Sequence, residues 1–356
     1  MSLDQPRFFL TKALRHHHTA LSSLVTPPFR VMLTGNPFRS CIEWRETMNR
    51  LTKLDLVCFA WLTLAAPMAI ATETDQGFSA LFVFGDSLSD TGNSHADTGR
   101  TAHPPFAPIP DDSYGIGGHH YSNGKTWIEN LAEQTGLING AKPALRNPAF
   151  GNYAYGGARA REYLIDSKPD FPAQVESFLA AHNYQAPSDA LYVIQFGGND
   201  LRDALVAGSE AETFAIVVEA ITSIANNIGR LVGHGAQNFM IVNAPNLGVT
   251  PGVPDELRAA VTGLSFIFNM NLANALAPLP QLGLDVYNLN LFEFTSVVAT
   301  NPEAFGFSSI EACLAFGVTE GAFCKNRDEH LFWDAIHPTK AAQRLIGNIA
   351  ANQLPD

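Results

Sequence analysis

Three features of the 356-residue chain predict an α/β protein built on a mainly parallel sheet. Five short apolar runs occur, at 80–84, 152–155, 191–196, 238–242 and 284–289. Helix-patterned stretches at 126–136, 211–232, 255–277 and 339–353 are interleaved with them. Three of the runs also stop at glycine: Gly85, Gly156-Gly157 and Gly197-Gly198. The first run, Ala80 to Phe84, is uninterrupted apolar sequence, the mark of a strand covered on both faces. The stretch Thr126 to Gly136 has helical apolar spacing and ends at a glycine, as helices often do. Parallel sheets carry their chemistry at the carboxyl ends of strands, which sets the turns after 84, 155 and 196 on one rim. With no repeat, low-complexity tract or long linker after residue 79, one domain over 79–354 is expected.

Composition narrows the class. The chain is 46% apolar and 16% charged, too apolar and too sparsely charged for disorder. Its net charge of −12 gives no general electrostatic footprint for nucleic acid. Residues 1–71 hold 8 of the 22 basic and 4 of the 34 acidic residues. The remainder therefore has 14 and 30, an acidic domain behind a basic leader.

From Met48 the leader reads as a secretory signal peptide over 48–71. Arg50 and Lys53 form its basic start, Leu56 to Leu64 its apolar stretch, and Ala69-Ile70-Ala71 its cleavage site. The apolar run is short of the ~20 residues of a membrane span, and Pro67 interrupts it. The expectation is thus a secreted or periplasmic protein with no transmembrane segment in the mature chain. Residues 1–47 read as a start assigned too early, Met48 being the true one, or as a disordered extension. Cys41 and Cys58 leave with the leader. The remaining pair, Cys313 and Cys324, fits one local disulfide in an exported protein. No CxxC or paired histidines nearby favour zinc instead.

The residues with chemistry lie on the predicted rim and at the far end of the chain. Ser87 follows a Gly85-Asp86 turn at a strand end, a place equally suited to capping a helix. Trp333-Asp334-Ala335-Ile336-His337 puts an acid three residues before a histidine, so one loop can present His337 to a nucleophile while Asp334 holds its Nδ1–H. The G-x-S-x-G elbow of the α/β-hydrolases is absent, which points to a different scaffold. Asn199, at the tip of Phe196-Gly197-Gly198-Asn199-Asp200, can donate to a developing oxyanion. A backbone N–H at Gly156-Gly157 can do the same.

Taken together, the sequence resembles the SGNH/GDSL esterase–lipase family. FVFGDSLSDTGN, NYAYGGA, FGGND and WDAIHPT stand in the order of that family's four blocks, and the similarity extends over 79–354, including HYSNGKTWIENLA at 120–132. The resemblance implies a flavodoxin-like three-layer α/β/α sandwich. It assigns Ser87 as nucleophile, His337 as general base and Asp334 as its orienting acid. The implied oxyanion hole comprises the Ser87 N–H, the Gly157 N–H, with Gly156 one step away, and the Asn199 side chain. The reaction implied is hydrolysis of a small-molecule or lipid ester through an acyl-enzyme, with no metal or organic cofactor. Acyl transfer to an alcohol and phospholipase activity are variants of the same chemistry. Two readings of other classes remain at this stage: a two-metal phosphoesterase using the carboxylates and amides of 85–93 (Asp86, Asp90, Asn93) and of Asn199-Asp200, with Asp328-Glu329-His330 as a D-x-H, and an inactive hydrolase fold that only binds. The loop 94–124, with Phe106, Tyr114 and Tyr121, is expected to line the acyl or leaving-group pocket, while His119 and His120 read as surface-loop histidines in preference to substrate contacts.

Overall fold

The computed structural model describes residues 77–355, so the leader readings at 1–47 and 48–71 lie outside the described residues. Four parallel strands form the main sheet, side by side as β1 (Leu81–Gly85), β2 (Leu191–Gln195), β3 (Asn238–Val242) and β4 (Asp285–Leu289). Residues 152–155 run along the outer side of β1 as a fifth lane. The N–H groups of Tyr153 and Tyr155 donate to the carbonyls of Val83 and Gly85 at 2.8 and 3.0 Å. The lane forms only an isolated bridge, because Asn152 turns its side chain inward to the Ser89 carbonyl and the Ala154 N–H. Counting the lane, the strands run 2-1-3-4-5 across the sheet, the flavodoxin-like order. Chain direction across the sheet reverses at β1, and the carboxyl ends of β1 and β2 flank that switch point, where such sheets open their ligand crevice.

Eight α-helices accompany the strands among the described residues: α1 (Asn93–Thr98), α2 (Trp127–Thr135), α3 (Phe171–Ala181), α4 (Gly198–Leu205), α5 (Glu210–Gly233), α6 (Arg258–Leu276), α7 (Leu291–Thr300) and α8 (Lys340–Ala351). Strand alternation sorts them into two layers. Phe82 and Phe84 of β1, Tyr192 and Ile194 of β2, and Phe239 and Ile241 of β3 point to one face, under α3, α4, α5 and α6. Leu81 and Val83, Leu191 and Val193, and Met240 and Val242 point to the other, under α2, α7 and α8. Both faces are covered, which is why these strands read as continuous apolar runs. Burying each such side chain contributes on the order of 1.5–3 kcal/mol.

The helix ends have local causes. Thr126 and Glu129 form a reciprocal capping box on α2, and Thr339 caps α8 by accepting from the Ala342 N–H. A second, two-stranded sheet pairs β5 (Ser309–Ala312) with β6 (His330–Phe332), and between them Cys313 and Cys324 are disulfide-bonded. That segment packs with Phe106, Tyr114 and Trp333 in a small satellite core.

Candidate active site

Ser87 lies half-buried on the turn after β1. Asp86 shapes that turn: its carboxylate accepts from the Leu88 N–H at 3.0 Å, and its carbonyl from the Ser89 and Asp90 N–H groups. Burial pushes the Asp86 carboxyl up to about 6. Asp90 does the capping work that the sequence left open for this block. Its carboxylate accepts from the Gly92 and Asn93 N–H groups at 2.7 Å, and from the Gly156 N–H at 2.9 Å. Asn93 donates to the carbonyls of Asn152 and Ala154, both at 2.8 Å. The nucleophile turn is thus stitched to the glycine lane.

The loop between β6 and α8 carries the acid and the histidine. Asp334 is fully buried; its Oδ1 accepts from the Ile336 and His337 N–H groups at 2.9 and 2.7 Å. Its Oδ2 lies 2.7 Å from His337 Nδ1, and His337 Nε2 lies 2.7 Å from Ser87 Oγ. A carboxylate only accepts, so Nδ1 carries the hydrogen and Nε2 accepts from the serine hydroxyl. Residues 250 positions apart in sequence therefore form one hydrogen-bonded line. Tyr114 extends it by donating its hydroxyl to Asp334 Oδ2 at 2.8 Å. Burial, and next the Asp334 charge, push the Tyr114 phenol far up, so it stays protonated and a donor.

Asn199 is the second residue of α4 and faces the same hollow as Ser87 and His337. Its Nδ2 donates to the Ala158 carbonyl at 2.9 Å, and its Oδ1 accepts from Arg202 Nη1 at 3.1 Å. Both partners fix the amide's orientation, and one Nδ2 hydrogen remains for the hollow. Asp200 is turned away: it accepts from the Ala160 N–H and from Arg161 at 2.8 and 2.9 Å, tying the glycine loop to α4. Gly157 has φ +83°, a backbone that favours glycine. At Gly156 a Cβ would stand 2.1 Å from the Tyr121 hydroxyl oxygen, so only glycine fits.

All five site residues singled out in the sequence, Ser87, Gly157, Asn199, Asp334 and His337, lie on loops or helix starts along this rim. The expectation for loop 94–124 needs correction. Phe106, Tyr114 and Tyr121 are buried, because they hold the loop down rather than face a pocket: Phe106 against Phe323, Tyr114 on Asp334, and Tyr121 beside His337. His120 is buried too, paired with Glu129 at 3.3 Å, and His119 stacks on His95. Sequence reasoning weighed Asp90 and Asn93 only as metal ligands and did not single out Arg202, Gln174 or Gln195; the two glutamines brace the Gly85 backbone and Ser89. Asp90 and Asn93 were within the quoted block; the two glutamines have no local signal, since their partners lie 89 and 106 positions away.

Fold and rim together define an α/β ester hydrolase. The chain belongs to the GDSL-like lipase/acylhydrolase family, whose model matches residues 81–350, and it is a carboxylic ester hydrolase. A GDSL esterase/lipase of Arabidopsis thaliana is 27% identical over 339 residues, 82% of this chain and 93% of that protein. The thermolabile hemolysin of Vibrio parahaemolyticus is 27% identical over 304 residues, 78% of this chain and 63% of that one. Among solved structures, a phospholipase A1 from Streptomyces albidoflavus aligns at 16% identity and a TM-score of 0.37, over 78% of this chain and 98% of that one.

Proposed function

We propose that residues 79–354 are one domain that hydrolyses esters with Ser87 as nucleophile, His337 as general base and acid, and Asp334 as the group that orients it. The observation that carries this is the line Ser87 Oγ–His337 Nε2–Nδ1–Asp334 Oδ2, with 2.7 Å at each hydrogen bond, at the switch point of the sheet. In the first step the Ser87 Oγ–carbon bond forms as the hydroxyl proton passes to His337. That proton then goes to the departing alkoxide as its bond to the carbonyl breaks. In the second step water gives a proton to His337 and attacks the acyl carbon. The Oγ–carbon bond breaks, the proton returns to Ser87, and the free acid leaves.

The carbonyl oxygen becomes negative in both steps. Asn199 supplies one donor. Of the two glycines, Gly156 already gives its N–H to Asp90, which leaves Gly157 as the backbone donor beside Ser87's own N–H. The two-metal alternative is less well supported, because its candidate ligands serve other partners: Asp86 the Leu88 N–H, Asp90 four backbone N–H groups, and Asp200 Arg161. Substrates are small-molecule or lipid esters, and the leader 48–71 directs the protein to the periplasm or medium. Ser87→Ala should abolish p-nitrophenyl butyrate hydrolysis at unchanged melting temperature, and a chelator should leave the wild type unaffected. More than a few per cent of wild-type turnover in Ser87→Ala would overturn the serine mechanism.

A further inference from the structure

We infer that Arg202 and Lys168 make a cationic rim at the catalytic hollow, and that the preferred substrates are esters bearing an anionic group, a phosphate or a carboxylate, near the carbonyl that is attacked. This names a substrate class for the site and rests on the ester-hydrolase reading above. Arg202, three residues after Asn199 on α4, lines the hollow that holds Ser87, Asn199 and His337, and is exposed to solvent. A guanidinium offers a fork of N–H donors, and Arg202 gives one of them, at 3.1 Å to Asn199 Oδ1. Lys168 stands at the other end of the oxyanion donors. A Cβ on Gly157 would lie 2.8 Å from its Nζ, so the ammonium of this half-buried lysine sits over the glycine assigned as backbone donor. Asn199 bonds in turn to the carbonyl of Ala158, the residue after Gly157, so the path from one cation to the other runs along the oxyanion donors themselves.

Among the described residues neither cation forms an ion pair with an acid. The neighbouring guanidiniums of Arg159 and Arg161 are committed to Asp166, Asp200 and Asp203. The acids whose charge reaches Arg202 are Asp203, Asp334 and Asp86. Each has partners of its own: Arg159 and Arg161 for Asp203, His337 for Asp334, and the Leu88 N–H for Asp86.

The rest of the molecule works against an anion. Residues 72–356 hold 14 basic residues against 30 acidic ones, so the overall charge repels a negative substrate. Two cations without acids, placed where the chemistry occurs, reverse that locally. An anion beside the carbonyl receives charge-assisted hydrogen bonds from the guanidinium fork, which fits phosphate and carboxylate alike, together with the attraction of the ammonium. What is recognised is charge, so a small soluble ester suffices as a probe.

The test uses two matched pairs of soluble esters. Butyryl glycerophosphate against monobutyrin puts the charge on the alcohol half, and monoethyl glutarate against ethyl valerate puts it on the acyl half. In at least one pair the anionic ester should be preferred by about 10- to 10²-fold in kcat/KM, and the pair that responds tells which half faces the rim. Arg202→Gln and Lys168→Gln should each lower that preference about three- to tenfold, and the double variant should abolish it. Arg202→Lys should keep most of it, and added salt should weaken it in the wild type. The preference is the readout, because Arg202 also holds Asn199 and its loss slows both members of a pair. A wild type that treats the members of both pairs alike, or favours the neutral ones, overturns the inference. So does a double variant that slows anionic and neutral esters equally, which would make Arg202 a support for Asn199 alone; both results leave the hydrolase reading standing. No turnover of any ester, with no reaction of Ser87 with a fluorophosphonate, would remove both.

Discussion

Asn199 separates two roles that look alike in sequence, an amide that shapes a turn and an amide that stabilises charge. Its side chain does contribute to local structure, through Ala158 and Arg202, but the residue also lines the hollow of Ser87 and its amide has a second Nδ2 hydrogen to give. If that hydrogen meets the oxyanion, Asn199→Ala should cut kcat by ~10²–10³ with KM little changed. Asn199→Asp, nearly the same shape, should be at least as inactive, because a carboxylate repels the developing charge. Steady-state kinetics on both variants, with melting temperatures, check this; an Asp variant with near-normal kcat would take Asn199 out of the mechanism. Tyr114 makes a different prediction. Its hydroxyl is one of two donors to Asp334 Oδ2, and a hydrogen bond to a charged group contributes about 1.5–3 kcal/mol. Tyr114→Phe should lower the unfolding free energy by that order in urea. It should also reduce kcat about tenfold, as the acid loses a constraint on its position, while KM stays within a factor of two. Unchanged kcat would make Tyr114 a packing residue only.

The elements differ in how far the sequence revealed them, and the reason is locality. The five apolar lanes were legible because β1, β2 and β3 are covered on both faces and three of the lanes run into glycine. Helices α2, α5 and α8 were legible from apolar spacing within one window, and α6 nearly so, its first residues forming a separate 3₁₀ turn at Asp255–Leu257. Missed were α3, whose first turn contains Pro172, α4, only eight residues long, α7, and the short strands β5 and β6. Site residues followed the same division. Ser87, Asn199, Asp334 and His337 stand in compact blocks, but the roles of Tyr114, Gln174 and Gln195 exist only through partners about a hundred positions or more away. Contacts between helices were likewise illegible. At Gly347 on α8 a Cβ would stand 2.6 Å from Asn130 Cβ and 2.8 Å from the Trp127 carbonyl oxygen on α2. Helix propensity favours alanine over glycine by about 1 kcal/mol, whereas overpacking costs about 1–3 kcal/mol. Gly347→Ala should therefore destabilise the protein by a net of up to about 2 kcal/mol in a denaturant titration; a stabilised variant would mean that α2 and α8 part freely.

Across the whole molecule, the sheet order determines where chemistry happens. The reversal at β1 opens a crevice, and chain ends far apart in sequence deliver Ser87 and His337 to it. The disulfide segment supports that delivery at a distance, since the satellite core containing Cys313 and Cys324 packs on Trp333 and Tyr114, the neighbour and the partner of Asp334. The central claim is that one serine, activated by His337 and Asp334, is the nucleophile. The most direct measurement is fluorophosphonate labelling of the folded protein, followed by peptide mass spectrometry. The account predicts a single adduct, on Ser87, whose rate of formation falls by about 10³-fold or more in His337→Ala. A protein that turns over esters while its label sits elsewhere, or while Ser87 reacts equally fast without His337, would contradict it.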